Sequence, residues 1–302
     1  MSRLYRLASS QLFNVPLMID EAKAEVIVCA LQERLGVVSF ERMDGTTLEA
    51  SEMVQQHASA SDAEWRGRAR DRLYPAAEGV AVIEIDGTLV HKYGYLDPVS
   101  GMTGYDGIAQ KLRAAMADDD VRAIWLDIDS PGGAVAGCFA LAQEIAACTK
   151  SEGGKLIWAF VNEQATSAAY ALACVCDKIF TTPDGVIGSI GSFCMHVDLT
   201  EALSKEGVKV EIIRAGAEKA KAGPYEPLED KTRAKLQAWV DDTRARFAQL
   251  VAAGRRMSQA AVLMTEADWF TAPEALKLGL IDGIMTEPEA WAKLQRSLKR
   301  AA

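Results

Sequence analysis

Four short segments of the 302-residue sequence carry residue types that can perform acyl-transfer chemistry. In the first, DIDSPGGAVAG over residues 127–137, Ser-Pro-Gly-Gly follows an aliphatic run. Proline fixes one backbone angle and glycine permits conformations that other residues avoid, so such a loop can aim N–H groups at one point. Amides aimed in this way beside a helix N-terminus can form an oxyanion hole, although an ordinary strand-to-helix turn has the same pattern.

The second segment contains a candidate nucleophile. In VNEQATSAAYALA, residues 161–173, Ser167 stands where an aliphatic run gives way to an Ala-rich helix. Small neighbours leave room for a substrate backbone, and the N–H of Ala168 is a candidate second donor to an oxyanion. A serine at a helix start is also an ordinary N-cap residue, so both interpretations stay open.

Two later segments could supply a base and its support. GVIGSIGSF, residues 185–193, offers a tight glycine turn in which Ser189 could orient a nearby amine. IRAGAEKAKAGPYEPL, residues 213–228, contains Lys219 and Lys221. A lysine acts as a general base only when it is neutral, whereas lysines in loops are usually solvated and charged. Each segment alone is weak evidence, and only their order along the chain gives them weight.

The four segments are separated by alternating strand and helix patterns from residue 79 onward. Aliphatic, β-branched runs are typical of strands buried on both faces, and amphipathic stretches such as DGIAQKLRAAMADDD are typical of helices. Repeated alternation predicts an α/β fold of βαβ units with right-handed crossovers. The predicted strands are GVAVIEIDGTLV, VRAIWLDI, LIWAFVN, KIFTTP, FCMHVDL and VKVEIIRAG, of which the last two, residues 193–199 and 208–216, flank the predicted helix LTEALSKEG.

Two further helices are predicted outside this alternation, at residues 16–36 and 227–257. The apolar face of the second is formed by Leu236, Trp239, Val240, Phe247 and Val251. A polar stretch rich in small residues follows the first helix, as expected of a linker. We therefore divide the chain into a small helical N-terminal element (1–40), a polar linker (41–76) and a catalytic body (77–302).

Composition excludes several classes of partner. The net charge is −9 and the isoelectric point is near 5.0, whereas nucleic acids and anionic lipid surfaces attract clustered Lys and Arg. No apolar run reaches the roughly 18 residues of a membrane span, and the basic start MSRLYRLASSQLFNVPL lacks the apolar core of a secretory signal. We expect no nucleic-acid partner, no membrane span and a cytoplasmic location.

Cysteine and histidine do not predict a metal or cofactor site. The six cysteines stand mostly in apolar or Ala-rich runs, as expected of small buried residues in a reducing compartment. Cys174 and Cys176 are spaced too tightly for the usual zinc hairpin, and His57, His91 and His196 are scattered. We expect neither a metal nor a cofactor.

Together, the four segments resemble the signal peptide peptidase A family of serine peptidases. The shared order is SPGG, a serine at a helix start after the next strand, GSIG, and then G-x-x-K five residues before a proline. The similarity runs from residue 79 to about 287 and includes WFTAPEALKLGLIDGI, residues 269–284. The N-terminal PLMIDEAKAEVIVCALQERLG is similar to the start of phage capsid proteases of the lambda minor capsid protein C type, whereas the cellular enzymes begin with a membrane anchor.

The resemblance implies the Clp/crotonase type of α/β fold and assigns roles to single residues. Ser167 matches the family nucleophile, and Lys219 matches the general base. The other matches are Gly133 and Ala168 as oxyanion donors, Ser189 and Gly132 as supporting residues, and Lys221 as an alternative base.

The function that this resemblance implies is a serine endopeptidase with a Ser-Lys dyad and an acyl-enzyme intermediate. The phage-type substrates would be capsid scaffold, portal protein and the protease itself, and the location would be the host cytoplasm or the procapsid. In the cellular family the serine and the lysine meet across neighbouring subunits of a ring, so the resemblance also implies a homo-oligomer.

Three alternatives remain open at this level. A crotonase-type acyl-CoA enzyme shares the fold and the oxyanion loop but works with acidic residues. A capsid-assembly module without catalysis could retain a vestigial site. A peptidase that degrades leftover signal peptides would keep the chemistry and change the substrate.

Overall fold

A computed structural model of the chain describes residues 73–92 and 101–301, and three short segments nearer the N-terminus. The strands are β1 (Leu17–Ile19), β2 (Phe40–Glu41), β3 (Thr47–Leu48), β4 (Ala76–Ala77), β5 (Val80–Asp86), β6 (Thr88–Val90), β7 (Met102–Gly104), β8 (Ala123–Ser130), β9 (Gly132–Ala134), β10 (Leu156–Thr166), β11 (Lys178–Thr181), β12 (Val186–Gly188), β13 (Trp269–Thr271) and β14 (Gly283–Ile284). The helices are α1 (Tyr105–Ala117), α2 (Cys138–Cys148), α3 (Ala168–Ala173), α4 (Thr200–Lys205), α5 (Asp230–Arg255), α6 (Gln259–Leu263), α7 (Ala272–Leu278) and α8 (Glu287–Ala301), with a short 3₁₀ turn at Lys150–Glu152.

The main sheet is parallel at its centre. Its order is β13-β12-β10-β8-β5-β4, and β11 also pairs with β10 and with β14. The pairs β5–β8, β8–β10, β10–β11 and β10–β12 are parallel, whereas β4 and β13 are antiparallel at the edges. The predicted α/β class of repeated strand–helix units is therefore confirmed.

Both faces of this sheet are buried, as the uninterrupted apolar strand sequences predict. On one face Ile83 and Leu126 belong to a core that includes residues of α1, α2 and α3. On the other face Trp125 stacks on Phe160 at 5.3 Å between ring centroids, and Leu294 of α8 packs in the same cluster. The sheet is thus held between helices, and its strand ends are fixed in position.

A second sheet carries the Gly-Gly loop. Its order is β1-β9-β6-β7, with β6 parallel to both β7 and β9 and β1 antiparallel to β9. The helix predicted over 16–36 is wrong at its start, because residues 17–19 form β1; residues 20–36 lie outside the described residues. The apolar residues of this stretch fit either period over so short a length, and pairing with β9 decides for a strand.

The linker predicted over 41–76 falls mostly outside the described residues. Within it, Phe40–Glu41 and Thr47–Leu48 pair antiparallel, and β4 pairs with β5. The division of the chain into three parts stays a prediction.

The strand predicted over residues 193–199 is wrong, because the structure contains no strand between β12 and α4. The strand predicted over residues 208–216 is also wrong. This segment is described throughout and contains no strand. Val208, Val210 and Ile213 are exposed, Ile213 at 94%, whereas Ile212 is half-buried. The alternating pattern VKVEII suits one face of a strand, but a strand also requires a partner edge, and this segment pairs with no described strand.

The long helix predicted over 227–257 is confirmed as α5, but its apolar face is covered only in part. Phe247 and Val251, in the second half, are fully buried. Trp239, in the first half, is 49% exposed. None of the described helices is both long and apolar enough to cross a bilayer.

Candidate active site

Ser167 occupies a sharp turn between β10 and α3. Its backbone has φ 55° and ψ −122°, an unusual conformation for a residue with a side chain, and it is 1% exposed. Its N–H donates to the carbonyl of Gly188 at 2.8 Å, and its own carbonyl accepts from Ala171. The side chain makes no capping hydrogen bond to α3, so the N-cap interpretation does not account for the hydroxyl.

A register shift in β10 brings the two predicted loops together. Val161 pairs with Ile128 and Ala165 pairs with Ser130, so β10 carries two more residues than β8 over this interval. Glu163, inside the shift, has φ 78°. The bulge therefore places the end of β10, and with it the Ser167 turn, directly beside the start of the Ser-Pro-Gly-Gly loop.

Close packing explains both glycines of that loop. A Cβ on Gly133 would lie 1.9 Å from the carbonyl oxygen of Leu89. Gly132 has φ 95°, and a Cβ there would lie 2.9 Å from the backbone nitrogen of Ala168. The loop can therefore approach the start of α3 only because neither residue carries a side chain.

Ser130 fixes this loop, and the sequence analysis missed its role. Its buried hydroxyl donates to the carbonyl of Gly87 at 2.6 Å and accepts from the N–H of Gly132 at 3.2 Å. Since the Gly132 amide is occupied, its part is to support the loop. A serine before Pro-Gly-Gly is a common turn residue, and nothing in the sequence indicates that it reaches back to residue 87.

Two amides predicted as oxyanion donors lie in this neighbourhood. Ala168 is the first residue of α3, where the N–H groups have no acceptor within the helix. Gly133 lies in β9, one residue beyond the point of contact with Ala168. The turn and the loop thus meet as predicted, while oxyanion binding itself stays a prediction.

The GSIG loop holds the Ser167 turn from the other side. Gly188 accepts from Ser167, and Ser189 donates its N–H to the carbonyl of Asp268 at 2.8 Å. Ser189 has φ 53° and is half-buried. Ser189 directly follows Gly188, which accepts the hydrogen bond from the Ser167 turn. No lysine among the described residues hydrogen-bonds to the Ser189 hydroxyl, so its role in orienting an amine stays a prediction.

The two candidate lysines have different surroundings. Lys221 forms ion pairs with Glu229 at 2.5 Å and with Glu226 at 3.9 Å. Lys219 is exposed, and its ammonium makes no hydrogen bond or ion pair with any residue that the structure describes. The buried, apolar environment expected for the base is therefore absent around Lys219 in the single chain.

Further ion pairs hold the segment around Lys219 in shape. Arg214 pairs with Glu226 at 2.7 Å, and Glu218 pairs with Lys231 at 2.5 Å. Surface ion pairs of this kind contribute little stability each, but together they fix the loop between residue 214 and α5. Lys219 lies within that loop as an amine without a partner among the described residues.

Two half-buried carboxyls lie at the same end of the sheet, on the face covered by α8. Burial raises the pKa of Asp127 to about 7, and the charges of Glu287 and Asp86 add to the effect. Burial and the neighbouring Glu84 raise the pKa of Asp86 to about 6. Asp127 shares the face of Trp125 because side chains alternate along a strand, so it points away from α2 and α3.

Other chemistry finds little support in the described residues. No group of three or more His, Cys, Asp or Glu side chains in residues 73–92 and 101–301 could hold a metal ion. Cys138, Cys174 and Cys176 are buried, and desolvation raises the pKa of the Cys138 thiol to about 12, so it is not a nucleophile near neutral pH. Neither His91 nor His196 hydrogen-bonds to Ser167, and His57 lies outside the described part.

Two phage proteins are similar to this chain over nearly its whole length. Capsid assembly protease C of Escherichia phage lambda is 38% identical over 291 residues, 96% of this chain and 65% of that protein. Head-tail preconnector protein GP5 of Enterobacteria phage P21 is 37% identical over 287 residues, 95% of this chain and 56% of that protein. This chain therefore spans less than two thirds of the length of either relative.

More distant matches follow. Protease 4 of Haemophilus influenzae is 28% identical over 229 residues, 75% of this chain and 36% of that protein. A crystal structure of an enoyl-CoA hydratase/isomerase family member aligns with a TM-score of 0.44 and 18% identity over 74% of each chain, a level that carries no conclusion about function. The family model described as peptidase family S49 matches residues 149–301, which include Ser167 and both lysines, and the chain belongs to this family.

Proposed function

We propose that this chain is a serine endopeptidase in which Ser167 is the nucleophile and Lys219 the general base. The observation that carries the proposal is the turn at Ser167, whose hydroxyl is not used as a helix cap and which lies against the Gly132–Gly133 loop. Such a turn presents a nucleophile next to backbone amides, as acyl transfer requires.

Lys219 is preferred to Lys221 because of their partners. The ion pairs of Lys221 with Glu229 and Glu226 stabilise its charged form, and a charged lysine cannot accept a proton. Lys219 has no such carboxylate among the described residues. An interface that covers this loop would therefore bury Lys219 without a carboxylate partner, whereas Lys221 would keep its two ion pairs.

The reaction would proceed in two stages. Neutral Lys219 accepts the Ser167 proton as Oγ attacks the peptide carbonyl, and the N–H groups of Gly133 and Ala168 stabilise the oxyanion. The lysine then gives the proton to the leaving amine, which leaves an acyl group on Ser167. In the second stage Lys219 takes a proton from a water molecule as the water oxygen attacks the acyl carbonyl, and the lysine then returns that proton to Ser167 Oγ as the acid product leaves.

Assembly would provide the environment that the lysine lacks. Seven of the exposed large apolar side chains fall between residues 197 and 239, on both sides of Lys219 in the sequence, and we take them to form one apolar patch: Val197, Leu199, Val208, Val210, Ile213, Tyr225 and Trp239. A neutral lysine requires a partly dry site, and a second copy of the chain packed on this patch would create one. We infer that the active form is a homo-oligomer.

The proposed substrates are proteins of the phage head, namely scaffold, portal and the protease itself. This follows from the two phage relatives, one of which is named a capsid assembly protease. The corresponding location is the procapsid or the host cytoplasm. An acidic chain with net charge −9 has no evident attraction for the packaged nucleic acid.

The test is incubation of the purified chain with candidate head proteins, followed by mass spectrometry of the products. Wild type and Lys221→Ala should produce the same cleavages, and Ser167→Ala and Lys219→Ala should produce none. Full head maturation supported by Ser167→Ala would contradict the proposal and favour a capsid-assembly module without catalysis. Loss of cleavage in Lys221→Ala alone would reassign the base.

A further inference from the structure

Strand β1 lies along the outer edge of the Gly-Gly loop. It pairs antiparallel with β9 in the register Leu17–Ala134, Met18–Gly133 and Ile19–Gly132. The opposite edge of β9 is taken by β6, where Leu89 pairs with Gly133. The edge that β1 covers is therefore the one edge of β9 to which a further extended segment could bind.

This edge faces the nucleophile turn. The position of a Cβ on Gly132 is 2.3 Å from the carbonyl oxygen of Met18 and 2.9 Å from the backbone nitrogen of Ala168. The Met18 carbonyl and the first amide of α3 are thus neighbours across a glycine. A peptide attacked by Ser167 must bring a main-chain carbonyl to the same amides, so β1 lies where such a peptide would lie.

The central side chain of β1 occupies an apolar site. Met18 is fully buried and belongs to the main hydrophobic core together with residues of α2 and α3. Methionine is unbranched and flexible, and it fills irregular apolar spaces well. An extended segment on this edge therefore places one side chain in a closed apolar subsite next to the nucleophile.

We propose that the outer edge of β9 is the peptide-binding edge of the site, and that Leu17–Ile19 occupies it as an internal pseudo-substrate. The inference rests on the proposed function and names its substrate class: an extended polypeptide with an apolar residue of about the size of methionine at the Met18 position. Binding is by strand addition, in which backbone pairing supplies affinity and the apolar subsite supplies selectivity.

Covalent attachment makes β1 a strong competitor. A tethered segment acts at an effective concentration that does not fall when the protein is diluted. A dilute peptide therefore does not displace it, whereas a substrate held at high local concentration does. The account predicts that the full chain binds peptides weakly until β1 is released.

Peptide binding tests this without relying on catalysis. All variants carry Ser167→Ala, and the probe is a fluorescent peptide of residues 14–22, NVPLMIDEA. Met18→Asp places a charge in the buried subsite and should release β1, whereas Met18→Leu preserves its volume and polarity. We expect Met18→Asp to bind the peptide at least about tenfold more tightly than Met18→Leu, and a peptide with aspartate at the methionine position not to bind.

Folding of each variant is checked by thermal unfolding. If Met18→Asp unfolds the protein, Met18→Gly removes the side chain without adding charge and replaces it in the comparison. Equal peptide affinity in the folded released variant and in Met18→Leu would overturn the inference.

A second arm separates the inference from the proposed function. With Ser167 intact, Met18→Asp should react with a fluorophosphonate probe faster than Met18→Leu. If no variant reacts with the probe or cleaves peptide, the proposed function fails, while the binding result still decides whether this edge accepts an extended segment. Reaction at the same rate in both variants would count against β1 as an occupant of the site.

Discussion

The nucleophile region and the lysine region of this chain are built in opposite ways. Ser167 is 1% exposed, and its turn is held by Gly188, the Gly132–Gly133 loop and the buried helix α3. Lys219 lies in an exposed loop held by surface ion pairs, and Ile213 nearby is 94% exposed. Half of the proposed dyad is therefore preorganised within the chain, and the other half is not.

This difference teaches where activity can be controlled. Backbone geometry alone can position a hydroxyl and its oxyanion donors, and because folding already orients these groups, they need not reorganise during the reaction. A neutral lysine requires a dry surface, which the single chain does not provide at Lys219. A protease arranged in this way would remain inactive until assembly completes it.

The largest effect is expected from removing the Ser167 hydroxyl in the nucleophile region. Ser167→Ala should lower the rate of peptide hydrolysis by on the order of 10⁵-fold or more, as for the nucleophile of other serine proteases. The matched control is Ser297→Ala, on the distant helix α8, which should leave the rate unchanged. Hydrolysis is measured with a peptide derived from an identified cleavage site, and a Ser167→Ala variant retaining a tenth of the activity would contradict the account.

The next effect concerns the oxyanion loop. Gly133→Ala introduces a Cβ 1.9 Å from the Leu89 carbonyl, so the strand must shift and its N–H must move. We expect the rate constant kcat to fall by about 10²–10³-fold, the cost of losing one oxyanion donor. Gly153→Ala, with no atom within 4 Å of the added Cβ, controls for glycine replacement. A Gly133→Ala enzyme with unchanged kcat would remove this residue from the site.

A smaller effect on activity should come from a substitution in the lysine region. Ile213→Asp places a charge in the apolar patch and should weaken self-association by about tenfold or more, equivalent to about 1.4 kcal/mol. Activity should then fall at low protein concentration and recover at high concentration, measured together with the mass distribution in solution. Leu73→Asp, at another exposed apolar residue, is the control. Concentration-independent activity of an Ile213→Asp monomer would show that this patch does not assemble the site.

The smallest effect concerns stability rather than catalysis. Because burial raises the pKa of Asp127 to about 7, the folded chain retains a proton that the unfolded chain loses near pH 4. The free energy of unfolding should therefore decrease as the pH rises from about 4 to 7. Asp127→Asn should weaken this dependence, leaving the part that Asp86 contributes through its own raised pKa of about 6, and should stabilise the protein above pH 7 by about 1–3 kcal/mol.

Denaturant unfolding at pH 5 and pH 8 measures this, with the exposed Asp119→Asn as control. Equal pH dependence in wild type and Asp127→Asn would show that this carboxyl ionises normally.

The nucleophile region could be predicted well from the sequence because the patterns that indicate it are local. The aliphatic strands, the Gly-Gly loop and the serine before an Ala-rich helix each follow from residue type and spacing, and the structure brings them together. The hydrogen bond from Ser130 to the Gly87 carbonyl was not predicted, because the two residues are 43 positions apart in the chain.

The lysine region was predicted less well for a physical reason. VKVEIIRAG has the alternation of a half-buried strand, and α5 has an apolar face that includes Trp239, yet neither pattern states what covers it. If the cover is another copy of the chain, such patterns describe the assembly rather than the single chain. The segment at 16–36 failed differently, because pairing with β9 outweighed a helical period over residues 17–19.

The most direct test of the dyad is the rate at which a fluorophosphonate labels Ser167 as a function of pH, with the adduct located by mass spectrometry. The account predicts labelling that rises with pH as one lysine loses its proton, in wild type and in Lys221→Ala, and labelling that is at least about 100-fold slower and lacks this pH step in Lys219→Ala. Labelling of Lys219→Ala at the wild-type rate, or its loss in Lys221→Ala instead, would contradict the pairing of Ser167 with Lys219.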